Sequence, residues 1–275
     1  MNDYMEYKHL PQLFLCVCGF VVHVMLLVAF VKDPLKCFRN SATYLVASLA
    51  VSDMTVSISL PLADYLERNG FSYLRDFCFV AIMSSFLTIF SISVDRYLMV
   101  VHPFKHRSLI NGKRMIVWII SIWIIGFGLV FTKRFIKDVT INRLFHAAVE
   151  IGLIFLAAFI YAITYASLKK QSKFLTTQDT SANRSLEARI LKEKRFLKTI
   201  IIVCFVAITT PSPFIILNEV VGKSNSLNTN TMQVIFSSNL LLFTINFVVN
   251  PFIYIWRLPK YRKTFSVLYC KCKLC

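Results

Sequence analysis

Asp95-Arg96-Tyr97 closes a long apolar stretch that begins near Arg75. An acid and an arginine at membrane depth are costly unless they pair or serve a function. The chemistry open to them is partner exchange, in which a buried cation trades one acid for another contact at the cytoplasmic mouth. Helical spacing shows which other polar residues share an inward face, because eleven residues make almost three whole turns. Ser85 stands over Arg96 about 16 Å along the axis, and Asn246 and Asn250 lie one turn apart. With Asp53 they form a polar cluster at mid-membrane, either a water-filled network or a site for a hard cation, which takes oxygen ligands. Asp64 lies eleven residues after Asp53 and Glu150 eleven before Tyr161, so both acids face the interior toward the outside. Arg143 is an alternative partner for Glu150, and loop water for Asp64. Asp76, nine residues from Ser85, faces away, whereas Cys78, seven from Ser85, faces inward.

The elements that position these residues follow from composition. The 275 residues are 56% hydrophobic and 16% charged, with mean hydropathy +0.62, well above the ~45–50% apolar content of soluble domains. A spanning helix needs roughly 20 apolar residues. Seven such segments run over 10–31, 43–66, 75–100, 115–132, 145–168, 196–218 and 231–256. An all-α seven-helix bundle follows, with residues 1–9 as a short extracellular N-terminus and 257–275 as a cytoplasmic tail. The short connections exclude an extramembrane catalytic domain and a long ligand-binding N-terminus.

The net charge of +17 and pI near 9.7 suit nucleic acid only when basic residues clothe a soluble surface. Here they gather in alternate loops. Twenty-two Lys and Arg fall after the first, third, fifth and seventh segments and eight on the opposite side. The positive-inside rule puts the N-terminus outside and the C-terminus in the cytoplasm, which agrees with an odd number of crossings. Asp3 and Glu6 argue against a cleaved signal peptide, and the first helix serves as its own signal anchor. All eight cysteines fall in spans or cytoplasmic segments, so no disulfide is expected across the outer face. The sequon at Asn183 falls on the cytoplasmic side and reads as chance.

No repeat occurs, and no matched pair of broken helices marks an inverted-repeat transporter. The run SLEARILKEKRFLKT has helical spacing and extends the sixth span into the cytoplasm as a basic amphipathic stretch. After the last span, Leu258, Tyr261, Phe265 and Leu268 recur at helical spacing among basic residues, as in a short amphipathic helix lying on an anionic leaflet. Cys270 and Cys272 follow it, the context in which cysteines are S-palmitoylated; free cytosolic thiols are the alternative.

Together SLAVSD ending at Asp53, SISVDRYLMVVHP ending at Pro103, and NPFIYIWRLPKYRKTF from Asn250 resemble the second-helix, third-helix and tail signatures of rhodopsin-like (class A) G-protein-coupled receptors. The resemblance covers nearly the whole chain. It implies a plasma-membrane receptor that passes an extracellular signal to a heterotrimeric G protein, with no covalent chemistry of its own. Asp95, Arg96 and Tyr97 match the activation triplet, Phe104 an apolar G-protein contact, and Glu193 the acid that pairs with Arg96. Tyr161 and Tyr254 match the tyrosines that approach the arginine in the active state, and Asn250-Pro251 opens the seventh-helix motif. For Glu193 the alternative is neutralising its basic neighbours, and for the tyrosines an interfacial belt. The resemblance also implies a sodium ion held by Asp53, Ser85, Asn246 and Asn250 as an allosteric ligand.

The departures are informative. Pro211 replaces the tryptophan two residues before Pro213, Ala207 the aromatic before that, and Leu153 the fifth-helix proline. His23 or Met25 stands for the first-helix asparagine, and Phe71 for the cysteine that bonds the second outer loop. These omissions are most similar to the melanocortin-related branch. By analogy the outer pocket comprises Cys78, Phe79, Ile82, Phe214, Ile215, Asn218, Leu240 and Thr244 beside Asp64 and Glu150. Cys78 stands where aminergic receptors place an aspartate, which disfavours an amine of that type. The two acids favour a cationic ligand, a basic peptide side chain or a bridging divalent ion. The apolar wall favours a neutral lipid instead. Of competing classes, an ion-conducting or transporting bundle is opposed by the paired cytoplasmic motifs. A retinal photoreceptor lacks its helix-seven lysine, since no lysine occurs between Thr231 and Trp256.

Overall fold

The computed structural model describes residues 10–38, 40–67, 73–132, 135–136, 138–176, 181–209 and 229–270. Within them the chain forms α1 (Leu10–Lys32), α2 (Ser41–Glu67), α3 (Tyr73–Val101), α4 (Pro103–Leu109), α5 (Gly112–Phe131), α6 (Val139–Thr176), α7 (Ser181–Thr209), α8 (Thr229–Arg257) and α9 (Pro259–Tyr269). α1, α2, α3, α5, α6 and α8 are long and apolar enough to cross a membrane. The apolar half of α7 begins at Phe196 and leads into 210–228, outside the described residues, with the pocket positions Phe214, Ile215 and Asn218. Lipid offers the backbone no hydrogen bonds, so an apolar run of this length satisfies its peptide groups as a helix.

Polar side chains set several starts. The Asn40 carboxamide accepts from the Thr43 N–H at 3.1 Å, Asn111 from Arg114 at 2.9 Å, and Asp138 from Thr140 at 2.8 Å, the interactions of helix N-caps. α3 is the central helix, packed against α2, α5 and α6, while α1 lies between α2 and α8 and α7 between α6 and α8. Two glycines permit the closest approaches. A Cβ on Gly126 of α5 would stand 2.7 Å from the Ser84 hydroxyl of α3, and one on Gly19 of α1 2.9 Å from Ser57 and Val248. The outward row Ile116, Val117, Ile120, Ile124 and Phe127 of α5 is exposed, as a lipid-facing surface is.

Candidate functional site

At the cytoplasmic end of α3 the Arg96 guanidinium is buried and shared. Its Nε donates to Asp95 at 2.9 Å, and Nη2 also donates to the same carboxylate. Nη1 donates to Glu193 on α7 at 3.3 Å, and Nη2 to the Ser41 hydroxyl at the start of α2 at 3.3 Å. Phe196, one turn after Lys192, carries the guanidinium 5.1 Å above its ring. The other oxygen of Asp95 faces Nε2 of His106 at 3.0 Å, which ties the short loop helix α4 to the same network. α4 presents Phe104 outward at 87% exposure. Ser41, His106 and Phe196 escape reading from sequence because each comes from a different element, and spacing within one helix carries no register between helices. Arg96 is thus a buried cation with two acids, one on its own helix and one on a helix free to move away.

These groups floor a cytoplasmic cleft of about 1390 Å³ lined by Lys36, Arg96, His106, Lys192, Glu193 and Lys260 among others. Burial first, and then the ammonium of Lys192 beside it, hold Lys260 below the ordinary lysine range. Its Nζ donates to the Cys37 carbonyl at 3.3 Å. Tyr161 is buried within electrostatic reach of Arg96. Tyr254 stacks on Tyr261 of α9 with ring centroids 5.8 Å apart, and Tyr97 meets His102 edge to face at 5.9 Å. Pro251 lies inside α8, one residue past Asn250.

The mid-membrane cluster assembles around Asp53. Ser85 donates to one carboxylate oxygen at 2.8 Å and the Asn250 amide to the other at 2.7 Å; Asn246 is buried one turn before Asn250. Of the two first-helix alternatives, His23 occupies the site. It is fully buried, its Nδ1 is 2.7 Å from the Gly19 carbonyl, and its Nε2 is 3.6 Å from Asp53. The Asn250 side-chain carbonyl is buried and accepts no hydrogen bond. A leftover oxygen acceptor beside a carboxylate and a hydroxyl is a donor set that fits a hard cation.

In the outer half, Cys78, Ile82, Glu150 and Thr244 are buried and Phe79 and Leu240 half-buried. His146, one turn before Glu150, is buried on the same face. Its i, i+4 spacing was the signal available in sequence. No ion pair to Glu150 occurs among the described residues. The side chains of Asp64 and Arg143 lie outside the described set. Asp76, read as facing away, is half-exposed.

The family model "7 transmembrane receptor (rhodopsin family)" matches residues 22–144, the stretch that contains Asp53, Ser85 and Asp95-Arg96-Tyr97. The chain is a rhodopsin-like G-protein-coupled receptor. It is similar to melanocortin receptor 5 of Homo sapiens, 23% identical over 271 residues, covering 92% of this chain and 81% of that receptor. It is also similar to adenosine receptor A3 of Bos taurus, at 21% over 295 residues with 96% and 90% covered. With sphingosine 1-phosphate receptor 1 of Danio rerio it shares 26% over 281 residues, covering 92% and 75%. The match to a melanocortin receptor agrees with the branch suggested by the departures. These relatives are named for unlike ligands, so the similarity fixes the transduction machinery and not the chemistry of the outer pocket.

Proposed function

We propose that this receptor sits in the plasma membrane with its N-terminus outside, takes a cationic extracellular ligand, and activates a heterotrimeric G protein through the cleft beneath Arg96. The observation that carries the reading is Arg96 held between Asp95 on its own helix and Glu193 on α7, at 3.3 Å from the latter. A ligand that favours an arrangement with α7 displaced removes Glu193 and leaves the guanidinium to an incoming Gα segment, with Phe104 as an apolar contact. The buried acid Glu150 is the anchor for a cation. A neutral lipid is the second reading, favoured by the apolar wall of Cys78, Phe79, Ile82 and Leu240 and by the relative named for sphingosine 1-phosphate. A screen of cationic and lipid libraries with several G-protein exchange readouts tests both. Exchange with no member of the Gα panel, together with ion current in cells lacking G proteins, would refute it in favour of a conducting bundle.

Asp53, Ser85, Asn246 and the free carbonyl of Asn250 would hold a sodium ion, which supplies positive charge to the buried carboxylate when bound. Ten times its Kd of sodium then stabilises the purified receptor by about 1.4 kcal/mol, since binding to the folded state alone adds RT ln(1 + [L]/Kd). Thermal unfolding in sodium against choline chloride reads the effect, and Asp53→Asn removes it. Equal unfolding of the parent in the two salts makes the cluster a water network.

Cys270, exposed directly after α9, and Cys272, outside the described residues, are the sites of S-acylation. The Tyr269 hydroxyl donates to the Met25 carbonyl of α1 at 2.8 Å, which brings the end of α9 against a membrane-spanning helix. Burial holds that phenol above the ordinary tyrosine range. Acyl-exchange labelling detects thioester lipid on the parent and none on the Cys270→Ser/Cys272→Ser double variant; an unlabelled parent refutes acylation.

A further inference from the structure

Between the cytoplasmic ends of α7 and α8 lies a second groove, of about 470 Å³. Leu191 and Arg195 belong to its wall and to that of the larger cleft, whereas Lys194, Lys198, Trp256 and Arg257 line only this one. On α7 the four lining residues follow i, i+3, i+4 and i+7, one continuous face. Four cations line the groove and no acid does. Gathering like charges without a counter-ion is unfavourable unless an anion joins them.

Arg257 supplies an independent pointer. Its Nε is buried with no hydrogen-bond partner, and its guanidinium carbon lies 5.3 Å from the centre of the Trp256 ring. A buried guanidinium N–H with no acceptor is a costly vacancy for an oxygen. Position says where the oxygen comes from. Arg257 is the last residue of the α8 span, Lys198 stands two residues inside the apolar run of α7, and Trp256 is 67% exposed. A tryptophan at the end of a span marks the headgroup level, and Lys and Arg at that level on the cytoplasmic side meet the anionic leaflet.

We propose that the Lys194–Arg195–Lys198–Arg257 groove binds the headgroup of an inner-leaflet lipid that carries phosphate monoesters. Four cations match several negative charges better than the single net charge of an ordinary acidic phospholipid. Guanidinium and ammonium groups make their strongest hydrogen bonds to phosphate oxygens. The groove volume falls within the ordinary range for small-molecule sites, ~300–1,000 Å³. An acidic protein segment would need a face turned to water, whereas Trp256 turns this one to the bilayer.

The test is titration of the purified full-length receptor with fluorescent phosphatidylinositol bisphosphate, which needs neither agonist nor G protein and so stands apart from the receptor reading. Lys194→Gln/Lys198→Gln weakens binding about 30-fold, at about five-fold for each cation near the surface. Arg257→Gln weakens it by at least about five-fold. Lys169→Gln/Lys170→Gln, exposed cytoplasmic lysines outside the groove, leaves it unchanged. Thermal unfolding verifies each fold, and Arg257→Gln decides alone if the double variant is unstable. Parent-like binding by the groove variants overturns the proposal, as does equal loss in the control pair, which would mean bulk charge. Phosphatidylserine binding as tightly at matched charge would remove the requirement for phosphate monoesters. The soluble inositol polyphosphate headgroup binding as tightly as the lipid would make the ligand a free polyphosphate and overturn the assignment to lipid.

Discussion

Arg96→Ala, present at the cell surface at the parent's level, abolishes guanine-nucleotide exchange on Gα, and Glu193→Gln does the opposite. The two outcomes follow from one geometry. Arg96 is buried, and its partners are Asp95, Glu193, Ser41 and the ring of Phe196. Removing the guanidinium deletes the only group in this network that can change partners, and with it the contact offered to an incoming Gα segment. Breaking a buried, hydrogen-bonded charge pair costs about 3–5 kcal/mol, so signalling falls more than about a hundredfold. Glu193, at 3.3 Å and at the rim of the cleft, belongs to the resting arrangement alone. A partly exposed ion pair is worth up to about 1 kcal/mol. Neutralising Glu193 therefore raises basal exchange by up to about five-fold while leaving maximal exchange intact. Nucleotide exchange on membranes with matched receptor density measures both. Undiminished exchange in Arg96→Ala would falsify the partner-exchange role, and unchanged basal exchange in Glu193→Gln would remove α7 from the lock.

The spans were legible because lipid leaves a twenty-residue apolar segment no alternative to a helix. Their ends were less so. Hydropathy places the fifth segment over 145–168, but α6 runs from Val139 to Thr176, because Asp138 caps its start and polar residues continue the helix into water. Spacing along one helix found Ser85, Cys78 and Glu150 on buried faces, since a helix fixes its own angular relations. It could not reveal His23 against Asp53, His106 against Asp95 or Ser41 against Arg96. Each joins two elements, and the relative rotation of packed helices is set by contacts such as Gly126 against Ser84 and not by either periodicity. The basic stripe of α7 shows the same division. Its amphipathic spacing is plain in SLEARILKEKRFLKT, whereas its meeting with Trp256 and Arg257 needed the bundle.

Ligand chemistry is decided by the acids of the outer half. Glu150→Gln, tested against a cationic agonist, costs about 2–5 kcal/mol of affinity, the price of unpairing a buried charge across an interface. In binding terms that is roughly 30- to 4,000-fold. The reason lies in its surroundings. Glu150 is buried between apolar neighbours, has no ion-pair partner among the described residues, and sits one turn from buried His146. A carboxylate so placed gains most from a counter-charge that arrives with the ligand. Asp64→Asn is the companion variant, on the acid that helical spacing aims at the same space. A neutral lipid gains nothing from either charge, so its potency stays nearly constant in both variants while falling when Ile82 or Leu240 is truncated. Competition binding on membranes of parent, Glu150→Gln and Asp64→Asn separates the two chemistries. If both variants bind the agonist as tightly as the parent, the cationic-ligand reading is wrong and the apolar wall becomes the recognition surface.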